Sequence, residues 1–129
     1  MTTALQNKKV LLVDDDPDML LALETLLAES GATLQKAADG NAAIEAAESF
    51  DPDLVILDAM LPKRSGFLVL DKLRVAGKKK GGRPFVIMIT GNEGKRHQEL
   101  AERSGVDGYI TKPFRMERLI EKIDSVVTE

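Results

Sequence analysis

Three short apolar runs constrain this 129-residue chain more than any other feature. They occupy residues 10–13 (VLLV), 54–57 (LVIL) and 85–89 (FVIMI). Runs this short and this continuously apolar read as strands buried on both faces. The segments between them carry helical spacing instead. Asp16 and Pro17 mark a helix start, because Asp caps and Pro suits the first turn. Leu20, Leu23 and Leu27 follow on one side, and Gly31 is the stop. Residues 33–36 form a weaker strand and residues 42–48 an alanine-rich helix. Ser65 and Gly66 open a helix with Phe67, Leu70 and Leu73 on one side. A polar loop at 78–83 stops at Pro84. Residues 93–104 read as a polar helix and residues 108–111 as a short strand. Met116, Leu119, Ile120, Ile123 and Val127 form the face of a last helix. Five strands alternating with five helices imply an α/β fold, doubly wound, with a parallel sheet covered on both faces. One domain is expected over residues 1–129, with a core from about 8 to 127 and no output domain after it.

Composition removes whole classes of chemistry. The chain has no cysteine, which excludes disulfide frameworks, cysteine-ligated zinc and cysteine catalysis. His97 is its one histidine, too few for a multi-histidine metal site. No apolar run approaches the ~18 residues of a bilayer span, and residues 1–9 lack the apolar stretch of a signal peptide. These features point to the cytoplasm, with no membrane insertion. A net charge of −3 gives no argument for direct nucleic-acid binding. The charge is divided unevenly, however. Residues 1–60 carry 3 basic and 12 acidic side chains, a net of −9, and residues 61–129 carry 15 and 9, a net of +6.

The residues at the strand ends explain part of that division. The first strand ends in Asp14, Asp15 and Asp16, the third in Asp58, the fourth in Thr90 and Gly91, and the fifth in Lys112 and Pro113. In a parallel sheet all of these fall on one edge, where doubly wound folds build their sites. Three carboxylates gathered there repel one another, and a hard divalent cation removes that conflict. Mg²⁺ prefers carboxylate oxygens and water. With the ion bound, Asp58 can act as a nucleophile toward a phosphoryl group, giving an aspartyl phosphate. The charge on the transferred group calls for surrounding partners. Mg²⁺, the Lys112 ammonium and the Thr90 hydroxyl are the candidates. Each residue alone has an ordinary reading as a cap or turn residue; their joint occurrence at four strand ends is the signal.

In these segments the chain resembles the receiver domain of bacterial two-component response regulators, from about Lys8 to Val127. Residues 13–17 (VDDDP) resemble the family's acidic pair after the first strand. Residues 57–62 (LDAMLP) resemble its phosphorylation segment, with proline four residues after the aspartate. Thr90 and Gly91 match its hydroxyl residue followed by a small one, and residues 111–114 (TKPF) match its lysine segment. The resemblance implies the flavodoxin-like (βα)5 sandwich with strand order 2-1-3-4-5. It implies that Asp58 accepts a phosphoryl group from a histidine kinase or histidine phosphotransfer protein. Asp15 and Asp58 would bind Mg²⁺ directly, Asp14 mainly through water, and the Met60 backbone carbonyl would complete the protein ligands. Lys112 would contact the phosphoryl oxygens, Thr90 would swing toward them and Tyr109 would rotate inward behind it. The bond between Lys112 and Pro113 would be cis. Phosphorylation would then switch the face made by the fourth and fifth strands and helices, for a downstream protein partner. The protein would be a switch with self-catalysed phosphorylation and dephosphorylation, not an enzyme, and a monomer or a phosphorylation-dependent dimer.

Other features set the alternatives. Met60 and Asn92, two places after Asp58 and Thr90, are neither acids nor bases. The basic loop at 78–83 reads as solvated or as a contact for an acidic partner. Arg115, Arg118 and Lys122 read as the wet face of the last helix or as a partner contact. A haloacid-dehalogenase-type phosphohydrolase shares the Asp-x-Asp spacing of Asp14 and Asp16, but Asp18 stands where that family has a small hydroxyl or valine, and no late acidic pair follows a strand after Lys112. A flavin carrier would need a hydroxyl- and glycine-rich phosphate loop where this chain has three aspartates. A degenerate receiver acting only as a binding module is disfavoured by the intact key positions.

Overall fold

The computed structural model describes residues 5–59, 69–72, 84–91 and 106–127. Its five strands are β1 (Lys9–Val13), β2 (Thr33–Ala37), β3 (Leu54–Asp58), β4 (Phe85–Thr90) and β5 (Gly108–Thr111). They form one parallel sheet of order β2-β1-β3-β4-β5. The helices are α1 (Pro17–Leu27), α2 (Gly40–Phe50) and a C-terminal helix (Met116–Val127). Residues 69–72 are helical and fall inside the expected third helix. The expected helix at 93–104, the loop at 78–83, Met60, Asn92 and His97 lie outside the described residues.

Strand alternation builds two cores. Successive side chains of a strand point to opposite faces. Leu11, Val13, Val55, Leu57, Val86 and Met88 therefore face one way, packed with Ala43, Ala46 and Ala47 of α2 and with Val69 and Leu70. Val10, Leu12, Leu54, Ile56, Ile87 and Ile89 face the other, packed with Leu23 and Leu27 of α1 and Leu119, Ile123 and Val126 of the C-terminal helix. β3 is buried at all five positions, whereas β2 at the sheet edge buries only Ala37. That contrast is why β3 reads as continuously apolar and β2 does not.

Local chemistry sets the element ends. Asp16 caps α1, its Oδ1 accepting from the Asp18 N–H at 2.9 Å, and Pro17 opens the helix. A 3₁₀ turn (Ala28–Ser30) follows α1 and stops at Gly31, which has φ +83°. A side chain there would also press on Gln6, whose Cγ lies 3.1 Å from a Cβ built on Gly31. Asp39 caps α2 by accepting from the Ala42 N–H. At the amino edge of the sheet, Asp53 Oδ2 accepts from the Lys9 N–H and Asp107 Oδ2 from the Val86 N–H. Both carboxylates serve strand starts, so not every acid of the acid-rich chain belongs to the site. Lys122, expected on the wet face of the last helix, is half-buried, and its stem lies over Gly108, 3.1 Å from where a Cβ would sit.

Leu5 precedes the sheet yet is fully buried in the α1 core, while Leu21 of α1 is 61% exposed. Leu5→Ala should lower unfolding stability in urea by about 2–5 kcal/mol, the usual range for a buried leucine. Leu21→Ala should change it by no more than about 0.5 kcal/mol. Equal losses would contradict the burial described.

Candidate phosphoryl-transfer and metal site

The site follows from the register. β1 and β3 are neighbours, with Val13 opposite Leu57, so the residues after them, Asp14 and Asp58, emerge side by side. Between these strands the chain's direction of winding reverses, since β2 lies on one side of β1 and β3 on the other. This is the switch point at which open α/β sheets leave a crevice. Ladder hydrogen bonds extend one residue further at both ends of the site: Asp14 N–H donates to Ala37 O at 3.1 Å and Lys112 N–H to Thr90 O at 2.7 Å. Continued alternation then gives Asp14, Asp58 and Lys112 the face shared by Leu12, Ile56 and Ile110.

The side chains meet accordingly. The Lys112 ammonium is 3.5 Å from Asp14 Oδ2 and 3.8 Å from Asp58 Oδ2. Asp14 is 1% exposed and Asp58 5%, so both carboxylates depend on partners rather than bulk water. Asp14 Oδ1 accepts from the Asp16 N–H at 2.9 Å, which fixes the carboxylate and leaves Oδ2 toward Lys112. Asp15 is exposed, yet one oxygen each from Asp14, Asp15 and Asp58 lie within 4.8 Å of one another. Among the described residues Lys112 is the one ammonium against these carboxylates, so with all three ionised the group itself carries a negative surplus. A group of carboxylate oxygens carrying that surplus fits a hard divalent cation.

Thr90 is fully buried at the end of β4. Register pairs it with Thr111 and pairs Met88 with Tyr109, so Thr90 and Tyr109 share a sheet face. Tyr109 is half-buried and packs against the α2-side core. By alternation that is the face opposite Asp58 and Lys112. The described geometry thus gathers Asp14, Asp15, Asp58 and Lys112 directly, and sets Thr90 and Tyr109 as a second pair on the neighbouring strands. The bond between Lys112 and Pro113 is cis. Met60 lies outside the described residues. Sequence reasoning missed the brace from the Asp16 N–H to Asp14; the run of three aspartates before Pro17 was its only signal.

The family model for the response regulator receiver domain matches residues 10–124. The chain belongs to the response regulator receiver family. The matched family is neither the haloacid-dehalogenase family nor that of the flavin carriers. Receivers similar to it include the chemotaxis protein CheY of Halobacterium salinarum, 34% identical over 121 residues that cover 94% of this chain and 98% of the relative. The alkaline phosphatase synthesis regulator PhoP of Bacillus subtilis is 35% identical over 121 residues, covering 94% of this chain but 49% of the relative. The chain thus spans about half the length of that regulator. Among solved structures, a receiver domain of a Pseudomonas aeruginosa sensor histidine kinase superposes with a TM-score of 0.83 at 26% identity, covering 95% of this chain and 99% of that one. That protein has a magnesium ion coordinated in its active site cleft. The acidic cluster of the present receiver is compatible with Mg²⁺.

Magnesium chloride should therefore raise the thermal midpoint of the receiver, by mass action on the folded state. Asp14→Asn should weaken the apparent Mg²⁺ affinity at least about tenfold, equivalent to about 1.4 kcal/mol. Glu29→Gln, an exposed acid remote in sequence from the cluster, should leave it unchanged. A wild-type midpoint that ignores Mg²⁺ would contradict the cluster's assignment.

Proposed function

We propose that this receiver is a phosphoacceptor switch of a two-component system, with Asp58 as the accepting residue. The observation that carries the reading is the Lys112 ammonium, within 4 Å of both Asp14 and Asp58 in a cluster able to hold a metal. One fixed cation beside a buried carboxylate, with room for a second, is what transfer of a phosphoryl group to that carboxylate requires.

The step balances simply. An Asp58 carboxylate oxygen attacks phosphorus and forms the new P–O bond. The bond from phosphorus to the donor breaks, and the donor leaves with its electron pair. For an N-phosphorylated histidine whose second ring nitrogen is protonated, neutral imidazole departs. Lys112 stays charged and follows the phosphoryl oxygens. The Thr90 hydroxyl supplies a further hydrogen bond, and its movement draws Tyr109 inward. Mg²⁺ held by Asp14, Asp15 and Asp58, with the Met60 carbonyl contributed by family resemblance, would neutralise charge on the transferred group.

The donor is a histidine kinase or a histidine phosphotransfer protein, and the reader of the switch is a protein. The output face includes β5 and the outer side of the C-terminal helix, where Tyr109, Arg115 and Arg118 line one groove. Dimerisation on phosphorylation is one use of that face. The chemistry is self-modification followed by hydrolysis of the aspartyl phosphate, without turnover on an outside substrate. Among the described residues no helix is long and apolar enough to cross a membrane, and the reading places the receiver in the cytoplasm with its kinase.

Incubation with Mg²⁺ and acetyl phosphate should give one phosphoryl adduct by intact mass. The adduct should vanish in Asp58→Asn and when EDTA removes the metal. An adduct that persists in Asp58→Asn, or sustained hydrolysis of a generic phosphate ester, would overturn the proposal.

A further inference from the structure

The described methionines differ in access to solvent. Met88 of β4 is fully buried, whereas Met19 and Met116 are each half-buried. Met19 lies in the first turn of α1 and Met116 opens the C-terminal helix. Although far apart in sequence, the two border one recess of about 470 Å³, together with Gly91, Lys112, Pro113 and Phe114. Among the described residues of that wall, Lys112 is the one charged group. Its ammonium is also the cation set against Asp14 at 3.5 Å and Asp58 at 3.8 Å. The Lys112 side chain is 29% exposed, so packing does not seal the ammonium in that position. A Cβ built on Gly91 would meet nothing within 4 Å, which leaves the β4 side of the recess with room for added atoms.

We infer that Met19 and Met116 form an oxidation site, through which a hydroperoxide slows phosphorylation of Asp58. The inference rests on the phosphoacceptor reading above and adds a redox input to the same lysine. In the modification, a thioether sulfur attacks one peroxide oxygen and the S–O bond forms. The O–O bond breaks, sulfur is oxidised by two electrons and the peroxide is reduced. The proton on the transferred oxygen passes to the departing hydroxide, which leaves as water. Oxidation turns an apolar side chain into a polar one. The new sulfoxide oxygen is a hydrogen-bond acceptor, and the Lys112 ammonium offers three donors and no acceptor. A sulfoxide in the recess therefore competes with Asp58 and the phosphoryl oxygens for that ammonium. Drawn toward the recess, Lys112 no longer offsets the charge of the transferred group. With a thioether on each of two helices, oxidation of either supplies the acceptor.

The experiment treats the folded full chain with hydrogen peroxide, removes the excess with catalase, and maps sulfoxides by tandem mass spectrometry. Asp58 phosphorylation by acetyl phosphate with Mg²⁺ is then followed by intact mass, each protein against its own untreated rate. Sulfoxide should accumulate at positions 19 and 116 and not at Met88. The wild-type rate constant should fall about fivefold or more, as expected when a stabilising cation is drawn off. A methionine sulfoxide reductase should restore it. The Met19→Leu, Met116→Leu double variant keeps an apolar wall and should retain its rate after treatment. Met19→Gln with Met116→Gln keeps size and helix propensity but supplies carbonyl oxygens, and should be slow without any oxidant. Absence of sulfoxide at both positions would overturn the site. An undiminished rate in fully oxidised wild type would overturn the switch, as would an equal loss in the leucine variant, which retains Met1 and Met60. If untreated wild type accepts no phosphoryl group, the phosphoacceptor reading falls and the switch with it, whatever the sulfoxide map shows.

Discussion

Among the described residues, one ammonium sits against like charges at the carboxyl end of the sheet. Lys112 lies within 4 Å of two carboxylates that are almost entirely withdrawn from water. Removing one partner from such a group leaves uncompensated charge where the dielectric is low. The surrounding fold makes sense as a way of enforcing that encounter. Asp14 and Asp58 follow adjacent strands whose register is fixed by two apolar faces, and a slip of one residue would turn every side chain to the wrong side. Lys112 comes from the opposite edge strand, and its backbone N–H on Thr90 O extends the ladder far enough to deliver the ammonium.

The same ends of the sheet therefore carry cost and function together. Among the described residues one ammonium faces three carboxylates, an arrangement compatible with a divalent cation at the same atoms that hold the strand ends together. The opposite edge shows the contrast. There Asp53 and Asp107 accept from strand-start N–H groups, and carboxylates act as structural caps. Asp39 and Asp16 do similar work at helix starts. Within the acidic first half, acids that terminate elements and acids that converge are separated by position at the carboxyl end of neighbouring strands, while others, such as Glu29, are simply exposed.

Much of this is legible in the residues. β1, β3 and β4 are readable because a strand buried on both faces has to be apolar throughout. The C-terminal helix is readable because Leu119, Ile123 and their neighbours repeat at helical spacing. The candidate site emerges from the residue types at each strand's carboxyl end, and Asp14, Asp15, Asp58 and Lys112 do converge. Strand order is not readable from periodicity, which fixes burial and not neighbours; family resemblance supplies it. Other details depend on tertiary contact. Lys122 looks like a solvent-facing lysine in a helical pattern, and only the absence of a side chain at Gly108 lets its stem lie inward. The Asp39 cap escapes a reading that begins α2 at Ala42, two residues after its true start at Gly40. Leu5 precedes the first apolar run by enough residues to look peripheral, although it fills the α1 core.

The central claim is that the convergent carboxylates have unequal roles, with Asp58 alone carrying the phosphoryl group. Borohydride reduces an aspartyl phosphate to homoserine, so the modified position is recorded in the covalent chain. Reducing the phosphorylated protein and sequencing its peptides by tandem mass spectrometry should place homoserine at position 58 and nowhere else. Homoserine at position 14 or 15, or a retained phosphoryl group on a residue that resists reduction, would contradict the account.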